Sequence, residues 1–264
     1  MIVPSMTNLE VYNELVADLP KLKIRANTLM TKVVKEFRKV HRFPAWQCYE
    51  YTHQKSRNKY LISFYANAAK TIDDPEIDFI GLADDTDGRV VIKWDEWCLS
   101  EDLTKGYCFI KSIGYFRGHF FSRYRERLWP NDSINPDELV CRFFTRNKRT
   151  IPIQLNDEIK RGYEQYGPFQ YGMDVPDGIC LTDQYYEGGD ISMTEDNSNK
   201  VYVVIYRTII SKSLLSKEQA NAIKTEGKEY VRDHYLEPIR KAYMKRLQNL
   251  PAHLPPPFLK KSDC

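Results

Sequence analysis

Three side chains in one short segment are of types that can move a proton and hold an anion. His119, Arg123 and Arg127 are spaced four apart within Gly118–Arg127. On a helix that spacing puts them on one stripe. An imidazole titrates near neutral pH and passes a proton to or from an oxygen. Guanidiniums hold phosphoryl oxygens and stabilise charge that develops on them. The stripe therefore suits phosphodiester chemistry or anion binding.

The same residues have a structural reading. At about 100° per residue, Phe120, Phe121, Tyr124 and Leu128 fill one arc that must pack on a core. Arg127 falls inside that arc between Phe116 and Phe120, and Arg125 points away to solvent. A buried arginine needs a partner. Here Glu126, Asp137 and Glu138 are near in sequence, so the stripe also reads as a staple that anchors a helix to a sheet.

Other chemistry is poorly supported. The chain has no G-x-S-x-G, G-x-x-x-x-G-K-[ST], H-E-x-x-H or G-x-G-x-x-G motif. The acidic turn 84–88 would need calcium ligands at Ala83 and Trp94, which cannot supply them. Asp73, Asp74, Glu76 and Asp78 surround Pro75 and read as a solvated turn ahead of a strand. His53, on a Tyr-rich strand, reads as a packed histidine with its hydrogen bonds satisfied. The six cysteines lack zinc-ligand spacing, so no metal or cofactor is expected, and free thiols suit a reducing, cytoplasmic setting. No apolar run is long enough to span a membrane.

Charge is uneven. Residues 21–42 hold eight Lys and Arg against Glu36, whereas 73–102 hold eleven acids against Arg89 and Lys93. A nucleic-acid face would look like this, and so would two solvated or mutually neutralising segments.

These residues need elements to position them. Ala26, Met30, Val33, Phe37 and Val40 mark a helical extension over 7–42, started or interrupted at Pro20. Strands are expected at 46–54, 59–66, 77–83, 89–94, 107–113, 178–183 and 200–210, with an Asp-Gly hairpin turn at 87–88. Helices are expected at 116–128 and 136–146, the latter capped by Asn135 with Pro136 in its first turn. Residues 147–177 read as loop-rich, 216–250 as a long helix and 251–264 as a mobile tail. The whole is one α+β domain over 1–250: a central, mostly antiparallel sheet (46–210) flanked by helices, with long N- and C-terminal ones.

The H-x-x-x-R-x-x-x-R pattern, a short loop and then Ile134–Val140 resembles small toxins of the barnase–EndoU–colicin–RelE superfamily of metal-independent ribonucleases. The resemblance implies an active site with His119, Arg123 and Arg127 on the helix. Arg207 and Thr208, at the end of the Val201–Tyr206 strand, are the strand residues it brings in. RNA or another phosphate-containing ligand would be the partner. Segments 119–127 and 207–219 together also resemble uncharacterised proteins of gut Bacteroidetes, a likeness that implies no function. Ribonuclease-like enzyme and non-enzymatic binding or structural protein both stand at this point, and the protein partner is unknown.

Overall fold

The structure, a computed structural model, describes residues 1–85, 88–99, 108–160, 170–190, 196–237 and 240–241. Nine strands form one sheet in the order β1-β2-β3-β4-β5-β9-β8-β7-β6. They are β1 (Ala45–Thr52), β2 (Lys59–Ala66), β3 (Glu76–Asp85), β4 (Gly88–Leu99), β5 (Cys108–Phe116), β6 (Ile151–Gln154), β7 (Tyr171–Val175), β8 (Gly178–Glu187) and β9 (Val201–Ser211). Every neighbouring pair is antiparallel except β5 with β9, which run parallel. The fold is α+β around a mostly antiparallel sheet.

The first helix, α1 (Asn8–Phe37), opens on a capping box in which Thr7 and Glu10 satisfy each other's backbone N–H groups. It buries Val11, Leu15, Leu22, Ala26, Leu29, Val33 and Phe37 against one face of the sheet, on Tyr60, Ile62, Phe64 and Ile92. Each large side chain so buried contributes about 1.5–3 kcal/mol. That stripe carries the helix straight through Pro20, which neither starts nor breaks it. Pro20 is on the exposed side, where the carbonyl it leaves unpaired can be hydrated. The helix ends at Phe37, short of the expected 42.

The opposite face is covered by α2 (His119–Leu128) and α3 (Pro136–Arg146), which pack Phe120, Tyr124, Leu139, Val140 and Phe143 on Leu61, Ile80, Val91 and Phe116. Asn135 caps α3 by accepting from the Asp137 N–H, with Pro136 in the first turn. Phe116 closes β5 rather than opening α2.

The described residues of the loop-rich span 147–177 are not all loop. They hold β6, a single turn α4 (Asp157–Lys160) and β7. Their apolar residues are too few per segment to show a period, and burial comes from neighbours: Ile153, Leu155 and Ile159 pack on Ile179, Ile210 and Ile223. Pro152 is tolerated because β6 is the sheet's edge. Gly178 is required where it stands, since a Cβ there would lie 2.2 Å from the Ile210 carbonyl oxygen. The last described helix, α5 (Lys217–Val231), starts on a Ser216–Gln219 capping box and continues into a π-helical turn, Arg232–Leu236. Residues 242–250 and the tail 251–264 lie outside the described residues. Among those described, no helix is long and apolar enough to cross a membrane.

Candidate functional site

His119, Arg123 and Arg127 do share α2, but their heads go to different places. His119 is exposed at the first residue of the helix. Arg123 is on the surface, paired with Glu126 at 2.8 Å. Arg127 turns under the helix to β9, where Nη1 donates to the Ile209 carbonyl and lies 3.3 Å from Thr208 Oγ1. The reason is topological. β5 ends opposite Tyr206, so among the described residues no strand pairs with 207–211 of β9 on that side. Arg127 satisfies an edge carbonyl that would otherwise be orphaned. Arg207 is the extra residue of a bulge, since Thr208 opposes Leu181 and Tyr206 opposes Thr182. It pairs with Asp183 at 2.7 Å. Arg125 is not solvent-facing as its helical angle suggests. It folds back to donate to the Ile134 carbonyl at 2.8 Å, with its Nε buried and unpartnered.

His53 is not on a strand but in the β1–β2 turn, beside two residues that invite a catalytic reading. Ser56 Oγ lies 2.9 Å from His53 Nδ1 and donates to Asp18 Oδ2 at 2.6 Å; Asp18 Oδ1 is 3.4 Å from the same Nδ1. A proton relay needs the carboxylate on one ring nitrogen and the nucleophile on the other. Here both share Nδ1, which also accepts the Ser56 N–H at 3.1 Å. The arrangement is a clasp. Asp18, 5% exposed, further accepts from Asn58 at 2.9 Å and Tyr60 at 2.6 Å, tying α1 to the hairpin. Burial pushes its carboxyl up, but hydrogen bonds from Ser56, Tyr60 and Asn58, with His53 nearby, leave it below the ordinary value.

A third place has room for a ligand. β3 and β4 pair only from Asp85 opposite Gly88 to Gly81 opposite Ile92; past that ladder the two arms part. The Lys93 ammonium reaches across, donating to the freed Phe79 carbonyl at 3.2 Å and pairing with Asp78. Beside this gap, on the face that carries α2 and α3, opens a cleft of about 650 Å³. That volume is in the range of small-molecule sites. Its floor is a cross-strand row: Ser63 opposite Asp78, then Asp95 opposite Ser112, with Lys93 opposite Gly114. Ser63 is 1% exposed, and among the described residues its Oγ makes no hydrogen bond to an oxygen or nitrogen. Its cross-strand neighbour is the Cys48 thiol, a weak partner. Aromatic rings supply the wall: Phe116 stacks on Tyr206 at 4.0 Å and 11°, and Phe143 and Phe144 meet Phe116 edge-on. Gly114 leaves space for the Tyr206 ring, which a Cβ would approach to 3.1 Å. Burial raises the Tyr206 hydroxyl above its ordinary range, so it stays neutral. Glu76 pairs with Lys148 at the rim, and Asp95 makes no ion pair among the described residues.

No family model, curated protein or solved structure matches this chain.

The cleft therefore stands on its own geometry. Glu76 and Asp78, which read as a solvated turn, belong to β3 and line it. The signal that would have exposed it is a polar or glycine residue at an inward position on four adjacent strands: Ser63, Asp78, Lys93 with Asp95, and Ser112 with Gly114. That row is visible only once register is known. Among the described residues no cluster of three or more His, Cys, Asp or Glu could hold a metal.

Proposed function

We propose that this protein is a non-enzymatic binding protein whose cleft takes a small molecule with a planar apolar ring and a protonated amine. The observation that carries this is the floor. A buried hydroxyl with no partner better than the weak Cys48 thiol, Ser63, sits in a row of polar groups on the sheet face that carries α2 and α3. An unsatisfied buried hydroxyl costs about 1–3 kcal/mol, which a ligand's donor or acceptor removes. The charged lining of Glu76, Asp78 and Asp95 against Lys93 and Lys148 is net negative, which favours a cation over a phosphate. Phe116, Tyr206, Phe143 and Phe144 offer an aromatic wall for a ligand ring to pack on.

The test is a thermal-shift series on the full chain with phenethylamine, phenylacetate and a mononucleotide. The amine is expected to raise the midpoint, by up to about 2.7 kcal/mol of stabilisation at a hundred times its Kd, and the two anions are not. Asp95→Asn should weaken the amine's effect. No shift with any of the three ends this reading.

Arg127 supports the binding reading too, because its role as a cap on β9 accounts for this arginine without chemistry. One observation favours metal-independent RNA cleavage as a second reading: His119 is exposed between exposed Arg117 and Arg123. Labelled single-stranded RNA incubated with the chain plus chelator checks it. Intact RNA closes that route. Cleavage lost in His119→Ala, with circular dichroism unchanged, keeps it.

A further inference from the structure

The excess positive charge of the chain falls in one segment, the second half of α1 and the residues just after it. Residues 21–42 carry a net +7 in a chain of +3, so the other 242 residues carry −4. Lys21, Arg25, Lys32, Lys35 and Lys39 step by four, seven, three and four. At about 100° and 1.5 Å per residue they share an arc of about 80° and run about 27 Å along α1 and its final turn. All five are exposed. Lys21, Lys35 and Lys39 make no ion pair among the described residues. Lys32 pairs with Glu36 at 3.8 Å. Arg25 and Lys32 lie over the Tyr51 and Tyr49 rings at 5.9 and 4.8 Å, so the ridge continues sideways onto β1, the edge of the sheet.

We infer that this ridge docks the phosphate backbone of a single-stranded nucleic acid, independently of what the cleft binds on the other face of the sheet. Helix-dipole compensation would place cations in the last turn only; this line begins at Lys21, mid-helix. A membrane is the weaker fit. A helix that lies in a lipid surface inserts its apolar face, and the apolar face of α1 is already buried on the sheet. A flexible strand can follow a line of cations along a helix while the tyrosines at its flank offer ring surface.

The experiment is fluorescence anisotropy of a labelled single-stranded 20-mer against the full chain across a salt series. Each phosphate neutralised on a single strand contributes about −0.7 to the slope of log K on log salt. Five cations therefore predict a slope of about −3.5, or about 100-fold in affinity between 50 and 200 mM salt. Replacing Lys21, Lys35 and Lys39 by alanine should cut the slope to about −1.4 with the melting midpoint unchanged, and arginine at the same three positions should restore it. Three results overturn the inference: no salt-dependent binding of the 20-mer, a slope that the triple alanine variant leaves alone, or the same variant abolishing binding to phosphatidylserine vesicles while the 20-mer does not bind.

Discussion

Of the three aspartates buried among the described residues, Asp177 and Asp18 are held by opposite means. Asp177, 7% exposed, sits in the β7–β8 turn. It takes a bidentate grip from Arg146 at 2.9 and 2.6 Å, plus the Tyr124 hydroxyl at 2.6 Å and the Asn147 amide at 3.1 Å. It thereby joins α2, α3 and the hairpin. Asp18 takes its direct hydrogen bonds from neutral donors, Ser56, Asn58 and Tyr60, with His53 beside it. In both, burial pushes the carboxyl up and the donors outweigh it, so each lies below 3.8. The contrast shows that a desolvated carboxylate needs enough convergent donors, and that a formal counter-charge is one way among others to supply them. What differs is what remains if the carboxylate is removed.

That difference ranks the variants. Asp177→Ala strands the Arg146 guanidinium and two buried polar groups. Loss of one partner of a buried pair costs about 3–5 kcal/mol. Arg146 is 39% exposed and can rehydrate, so the lower end is expected. Asp18→Ala strands neutral donors and should cost about 1–3 kcal/mol. Urea midpoints of the two variants measure the gap, and an Asp18 variant as damaged as the Asp177 one would show that the counter-charge does not matter.

Acid should sharpen the same comparison. A carboxyl below its unfolded value contributes stability that is complete above that value, about 3.8, and is lost as pH falls through the lower folded one. The unfolding free energy of the wild type should therefore drop below about pH 4. Asp177→Asn and Asp18→Asn should each flatten the drop, and the double variant most. A wild-type curve that is flat between pH 5 and 2 would mean that neither hub is charged in the folded chain.

Much of this fold is legible from residues that carry their own local rule. The α1 stripe, the β2 run Lys59–Ala66 and the Asn135-Pro136 start of α3 needed no tertiary information. Pro20 misleads because helix propensity was weighed without the burial that overrides it. β6 and β7 escape because four and five residues give too few turns of any period. The parallel β5–β9 join has no local signature at all. The hubs and the cleft were the least visible, for one reason. Their members lie far apart in sequence, as with Tyr124, Arg146 and Asp177, and the same types scattered on a surface look identical. His119, Arg123 and Arg127 drew notice because four-residue spacing is readable. Arg127's partner, an edge carbonyl left by the end of β5, is not.

The smallest effect tests whether the Asp18 hub is only a clasp. Ser56→Ala removes one hydroxyl that donates to Asp18 at 2.6 Å, while Asn58 and Tyr60 still donate. A single hydrogen bond to a charged group of this kind contributes about 1.5–3 kcal/mol, and the remaining donors and water that can reach the half-buried turn should hold the loss near about 1 kcal/mol. A nucleophilic serine would show something else. Its hydroxyl would be activated by an imidazole whose far nitrogen is anchored by the carboxylate, and a fluorophosphonate probe would label it. Here Nδ1 faces Ser56 and Asp18 at once, and the Ser56 proton is already committed to the carboxylate. Incubation with the probe followed by mass spectrometry should find Ser56 unmodified. A phosphonylated Ser56, absent in a His53→Asn variant that still folds, would turn the neutral-donor hub into a catalytic one and reverse the comparison with Asp177.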